Sequence, residues 1–480
     1  MSRVSKSESQ ATGDSCARSN RATLQMHSSQ RPSASVFRAL GGALVAALAL
    51  SACPATSEDV RPPEDEFFFP TGLAITPDED TLFVANANSD LRFDSGSITP
   101  VDVSLVQELF DTWTGTGEAP QGFDCERDVT LPFTLVCNEE SLILAEASVR
   151  TGNFATEMDV QSLDDGRFRL FSAVRGDPSI TWLDFDPASQ ASDCGGSGVM
   201  PRCDDEHRLT TMRDDITLGP LAPEPFGLFV DSANGYVVST HLIGGAVTLS
   251  DAPTNGDKPM LTDGLGNVFE GDAVTRISSA LGVAGQRPGV RGSRIYVTSR
   301  SEERVQTFTV HRFDDGLATL VPAEFFFLRG VDPSDDGRGI RFSADGNEAY
   351  IINRDPPMMQ VIDTSIGAEG VPANDLKRAV EVCGDAASIE VADLGRGERV
   401  FLSCFLDGQV WVIDPQGGSI DAIVDVGRGP QDLAIAPGRQ MLFATNFLED
   451  TVSVIDLRPG SSTENRMVLK LGRTRQSGGN

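Results

Sequence analysis

GPQDLAIAPGRQMLFATNFLEDTVSVIDL, residues 429–457, holds three short apolar runs separated by turn-forming residues. LAIA is followed by a Pro-Gly turn, MLFAT ends in Asn446, and TVSVI ends in Asp456 after a polar loop. A second copy, PTGLAITPDEDTLFVANANSDLRFDSGSITPVDV, occupies residues 70–103. Apolar alternation with turn residues at this spacing predicts an antiparallel meander. Repeats of about 40–50 residues, each with several strands, predict propeller blades.

Seven third strands are placed by their closing residues: Asp102, Asp184, Asp251, Thr309, Asp363, Asp414 and Asp456. A short carboxylate at a strand end can accept from backbone N–H groups of the following turn, so this column reads as structural. The spacings are 82, 67, 58, 54, 51 and 42 residues. The last is the bare repeat, and insertions are expected near 104–140, 187–208 and 252–272. The fold class is therefore all-β: one seven-bladed propeller over residues 67–473. The run RMVLKLG at 466–472 is similar to DAIVDVG before Arg428, and nothing like it precedes Phe67. The C-terminal strand is expected to complete the first blade, joining the ends and removing two exposed edges.

These segments resemble the YVTN-repeat propellers, a lactonase-like, WD40-like family. Its signature of "LAVSPDG", "LYVAN" and "TVSVID" is nearly literal at 433–438, 442–446 and 451–456. The match is clear in the blades at Pro70, Arg338 and Gly429 and degenerate elsewhere.

Residues 1–52 read as a targeting segment. An uncharged apolar run, ALGGALVAALALSA at 39–52, follows Arg31 and Arg38. That is the secretory pattern, and about 14 apolar residues fall short of the roughly 20 that span a bilayer core. Met26 would start a more ordinary signal of this kind. Leu50-Ser51-Ala52-Cys53 resembles a bacterial lipobox, which implies acylation of Cys53. Pro54 is not the aspartate of an inner-membrane retention signal, so the outer membrane is favoured. Residues 53–66 are rich in Pro and acid, the composition of an extended tether, and 474–480 are expected to be a disordered tail.

The full chain has a net charge of −31. Residues 1–52 hold 6 basic and 2 acidic residues, leaving 33 and 68, a net of −35, from Cys53 onward. Such a charge repels polyanions and argues against nucleic acid and anionic lipid surfaces, so membrane association would be by the lipid anchor alone. Six cysteines remain beyond Cys16 and Cys53, an even number in an exported chain. Sequence proximity favours Cys125–Cys137, Cys194–Cys203 and Cys383–Cys404. No pair has the spacing of a zinc or haem site.

Signals for catalysis are sparse. His27, His207, His241 and His311 share no metal-ligand spacing, and GxSxG, HExxH and nucleotide-binding motifs are missing. No metal or cofactor is expected. The residue after the Asn of "LFVAN" forms a column across the repeats: Ala87, Arg175, His241, Arg300, Arg354, Phe405 and Phe447. By the family resemblance, this position opens the ligand-binding face near the central funnel. Cations gathered on one arc of so acidic a chain suit a carboxylate or phosphate, with the phenylalanines holding a ring or alkyl chain. The competing reading is local ion pairing with Asp177, Glu302, Glu303 and Asp355. The expectation is an envelope-tethered binding or scaffold module whose partner is a small anionic ligand or an envelope protein. The alternative is a divalent-metal-dependent lactone hydrolase, with Glu224, Asp336, Asp385 and Asp432 as candidate ligands.

Overall fold

The structure, a computed structural model, describes residues 60–211, 219–269, 271, 278–314, 316–328 and 335–473. The expected signal segment, Cys53 and the tail at 474–480 lie outside these residues. The last blade shows how one repeat folds. Strands Pro430–Ala436, Met441–Asn446 and Thr451–Asp456 form a meander, and Arg466–Leu471 adds outside it. The second strand is buried along its whole length. Asn446 closes the repeat: its Nδ2 donates to Thr451 Oγ1 (2.9 Å) and Ser453 Oγ (2.8 Å), and its Oδ1 accepts from Gly427 N (3.0 Å). Asn86 makes the same three contacts in the first blade, with Ser97, Thr99 and Phe68 N. The Asn of the repeat is thus a clip between strands, needed because buried amide groups must find partners.

Seven such antiparallel sheets follow in sequence. Their inner strands are Pro70–Ile75, Ala155–Ser162, Pro225–Asp231, Ala280–Gly285, Asp335–Phe342, Ala386–Asp393 and Pro430–Ala436. Neighbouring inner strands touch in cyclic order, and the first also touches the seventh, so the ring is closed. All seven carry a register shift near their start. Such bulges bend a strand and free an N–H. Hydroxyls of the second strands take up several of these: Thr240 for Gly227 N, Thr298 for Gly282 N, Ser403 for Ser388 N and Thr445 for Asp432 N, at 2.9–3.0 Å. Gly282 sits where a Cβ would lie 2.0 Å from the Arg338 carbonyl of the next blade, which explains the glycine.

The closing-aspartate column is structural in most blades. Asp363, Asp414 and Asp456 accept from N–H groups two or three residues on, and Asp102 caps a helix. Asp184 instead pairs with buried Arg169, and Asp251 with Arg312.

The C-terminal strand does join the two ends of the chain, though its partners differ from those expected. Arg466–Leu471 completes the seventh blade, and its outer edge pairs in parallel with Leu135–Cys137. That segment belongs to the insertion of the first blade, which takes its own fourth strand, Val149–Thr151, from beyond it. The seam is also stitched by Glu79, which accepts from Gly438 N and Arg439 N, and by Asp450, which accepts from Phe69 N.

The first insertion contains a helix, α1 (Val103–Thr116), capped by Asp102 and ended by Gly117 at φ 72°. Its Val106, Leu109, Phe110 and Trp113 enter a core shared by blades 1 and 7. The second insertion splits the outer strand of blade 2 into Ala191–Asp193 and Arg208–Leu209. The third expectation needs correction: Met260–Leu265, inside 252–272, is the regular outer strand of blade 3. All three disulfides join the expected cysteines, Cys125–Cys137, Cys194–Cys203 and Cys383–Cys404. Among the described residues, no helix is long and apolar enough to cross a membrane.

Candidate functional site

Because inner and second strands run antiparallel, each inner strand begins beside the end of its second strand. The residue before an inner strand adopts left-handed backbone at Phe69, Phe154, Glu224 and Gly429. Its carbonyl accepts from the repeat column in the same blade: Ala87 N to Phe69 O, Arg175 N to Phe154 O and Phe447 N to Gly429 O, all 3.0–3.1 Å. Phe405 N bonds Asp385 O in the same way. In blade 3 the donor to Glu224 O is Leu242. Leu242 therefore holds the column position, and His241 stands one place earlier, where Asn86 and Asn446 stand. His241 is fully buried, with Nδ1 3.3 Å from Pro223 O and Nε2 3.1 Å from Thr248 Oγ1. Burial pushes its pKa down to about 4. It is a neutral structural histidine at ordinary pH.

The arginines reach across to the next blade. Arg175 Nε lies 2.6 Å from Glu224 Oε2, and Arg354 Nη1 lies 2.8 Å from Asp385 Oδ1. Arg354 Nε also donates to Ala386 O at 2.7 Å. Arg300 Nε is 3.8 Å from Asp336 Oδ1, and its side chain is 57% exposed. The partners are thus not the acids next in sequence. They are three of the four acids that stood as candidate metal ligands, so the two candidate sets largely neutralise each other. Among the described residues, no group of three or more His, Cys, Asp or Glu side chains converges as a metal site.

Sequence reasoning missed Arg338, two residues into blade 5 beyond Asp336. Its Nε lies 2.8 Å from Asp336 Oδ1 and its Nη2 donates to Oδ2 at 3.1 Å. Burial lowers the pKa of Arg338, against the pull of Asp336. Burial, and then the neighbouring charge of Arg338, lower Arg354 to about 10. Three guanidiniums, Arg300, Arg338 and Arg354, therefore share two carboxylates. The signal available was position: Arg338 follows the left-handed entry of an inner strand, where ring geometry gathers residues.

On the other side of the funnel lies a cavity of about 180 Å3. Ala87, Arg175 and Phe447 of the column line it, with Phe154, Phe226 and Ser388. Phe447 packs against Phe69 (centroids 5.4 Å) and Phe405 (6.2 Å). The cavity floor holds Glu157 and Asp432, which also line the larger central channel of about 740 Å3. Asp432 accepts from Leu73 N (2.9 Å) and Ser388 Oγ (2.8 Å), and Glu157 from Leu228 N (3.1 Å), so both clasp neighbouring blades. Desolvation raises Glu157 to about 8 and Asp432 to about 6, each also feeling a neighbouring carboxylate. Further along, Arg341 binds Glu390 with two nitrogens at 2.7 and 3.0 Å.

No family model and no curated protein matches the chain. Solved structures do. A candidate 6-phosphogluconolactonase of Bacteroides fragilis is 14% identical with a TM-score of 0.52, covering 82% of this chain and 98% of that one. A protein from Lactobacillus plantarum is 17% identical with a TM-score of 0.51, covering 75% and 94%. The periplasmic gluconolactonase of Pseudomonas aeruginosa is 17% identical with a TM-score of 0.49, covering 76% and 87%. At such identities the likeness is one of fold. The class defined by these strands is the seven-bladed β-propeller.

Proposed function

We propose that this chain is an exported, lipid-anchored propeller of the YVTN-repeat type that binds a small organic anion in its funnel. The observation that supports binding is the cavity beside Arg175. Three positions of one repeat column meet there, and among the described residues only Nε of that guanidinium is engaged, which leaves its outer fork to a ligand. A planar fork suits a carboxylate or phosphate. The volume is below the roughly 300–1,000 Å3 of sites for drug-sized ligands, so the occupant is small. Export is supported by the three disulfides, which persist in oxidising compartments. The lipobox at Cys53 argues for the anchor and Pro54 for the outer membrane. Mass spectrometry of membrane-extracted protein should find acylated Cys53.

The test of binding is a thermal-shift screen of carboxylates, phosphates and acidic peptides on wild type and Arg175→Gln. At least one anion should stabilise wild type and lose about tenfold or more in affinity in the variant, the range for a charge-assisted bond. Unchanged affinity in the variant would remove Arg175 from the site.

Lactone hydrolysis is the second reading, favoured by one feature. Glu157 and Asp432, carboxyls with separated pKa values at the cavity floor, form a potential acid–base pair. Turnover of a lactone series that Glu157→Gln abolishes would establish it, and chelator sensitivity would separate a metal-dependent route from a carboxyl pair.

A further inference from the structure

We propose that the funnel selects an amphipathic organic anion, with its acidic head at Arg300, Arg338 and Arg354 and its apolar body against Phe69, Phe405 and Phe447. This site lies on a different arc of the same funnel from the Arg175 cavity, and it rests on the reading that the funnel takes an organic anion.

The head site follows from a charge count. Asp336 faces Arg300 and Arg338, and Asp385 faces Arg354. Among the described residues these pairs set three guanidiniums against two carboxylates, an excess of one positive charge, in a chain whose net charge is −31. Arg300 is the loosest member, mostly exposed and 3.8 Å from its acid, so its fork is available to a ligand. Arg338 and Arg354 are far more enclosed. They hold the two aspartates in place and offset their repulsion of an incoming anion. Crowded, partly desolvated cations gain more from an anion than solvated ones do, because the effective dielectric is lower.

The body site is the run of aromatic rings that starts in the next blade. Phe405 and Phe447 are tilted at 44° and Phe447 and Phe69 at 57°, each ring only partly buried. A ligand ring or alkyl chain laid here would bury apolar surface, worth about 25 cal/mol per Å2. Head and body sites are linked through the entry of one inner strand, Ala386–Asp393. The Asp385 carboxylate holds Arg354, while its carbonyl accepts from Phe405 N at 3.2 Å. Ala386 O accepts from Arg354, and the next two residues, Ala387 and Ser388, line the cavity beside Phe447. Four consecutive residues thus connect the cations to the aromatic wall. A hydrophilic anion would leave the wall unused, and a neutral aromatic would leave the excess cation unanswered.

The experiment is calorimetric titration with phenylacetate, acetate, gluconate and benzyl alcohol at millimolar concentration. Phenylacetate should bind about tenfold or more tighter than each of the others. Arg300→Gln, an exposed change with little consequence for folding, should cost phenylacetate about tenfold. Phe447→Ala should weaken phenylacetate and leave acetate unchanged. Equal affinity for acetate or gluconate would overturn the amphipathic class while leaving anion binding intact. Equal affinity for benzyl alcohol, or no binding by any probe, would overturn the proposal. Anion binding lost in Arg175→Gln but kept in Arg300→Gln would overturn the head assignment alone and leave the cavity reading standing.

Discussion

Arg169 has no exposed surface, yet its charge is answered on every side. Nε and Nη2 meet the two oxygens of Asp184 at 2.6 and 3.0 Å, Nη1 donates to Asp257 O at 2.7 Å, and the guanidinium lies 4.6 Å over the Trp182 ring. Removing one partner of a buried ion pair strands the other, at about 3–5 kcal/mol. Asp184 keeps a second contact, Arg167 Nη1 at 3.1 Å, so Arg169→Met should destabilise by the lower part of that range, about 3 kcal/mol, in urea unfolding, and adding Asp184→Leu should recover part of it. A loss below about 1 kcal/mol for the single variant would contradict the pairing. His241 gives a pH signature. Its folded pKa, about 4, lies below the ordinary 6.5. Between these values the unfolded chain takes up a proton that the folded one refuses, so stability is full above about 6.5 and falls as pH falls toward 4. From pH 7 to 5 wild type should lose about 2 kcal/mol more than His241→Asn, as read by urea midpoints at the two pH values. Equal losses would mean that His241 protonates freely in the fold. Asn is the natural replacement because Asn86 and Asn446 occupy the same position.

The strands were legible in the sequence because alternation and turn residues report local structure directly. Gln440 and Asp450 do adopt the left-handed backbone that turns demand. Helix α1 was legible too: Val103, Val106, Leu109, Phe110 and Trp113 are spaced for one face. The repeat pattern does not reveal it, because the helix lies in a segment that interrupts the repeat. Met260–Leu265 carries a TDG sequence without strand alternation, and its pairing with Val247–Asp251 makes it a strand. The least legible element was the edge of the C-terminal strand. Its parallel pairing with Leu135–Cys137 joins residues more than three hundred apart, and no local pattern encodes that. Deleting residues 466–480 should leave Thr451–Asp456 with a bare edge and Leu135–Cys137 without its partner. The truncated chain should melt markedly lower in a single transition and self-associate, as exposed edges do. An unchanged melting temperature with monomeric behaviour would show that the seam does not depend on this strand.

Ring symmetry explains both what the candidate site kept and what it lost. Equivalent positions in successive repeats are brought to one face, so a column read down the sequence becomes an arc in space. The column survives at Ala87, Arg175, Phe405 and Phe447, where one backbone hydrogen bond recurs. It slips in blade 3, where a one-residue offset exchanges Leu242 for His241. Partners are harder to read than positions, since each arginine pairs across a blade boundary some 31 to 49 residues away rather than with its neighbours in sequence. Arg338 escaped because inner-strand residues belong to a different column. The channel carboxyls bring an opposite pH dependence: with Glu157 raised to about 8, its contribution is present at low pH and lost as pH rises through that value.

The central claim is that this funnel holds an organic anion. The direct measurement is mass-spectrometric analysis of small molecules released by denaturing protein purified from its native host cells, comparing wild type with Arg175→Gln. Wild type should release a stoichiometric organic acid, and the variant should release little of it. No small molecule from wild type, or the same amount from both, would contradict the account.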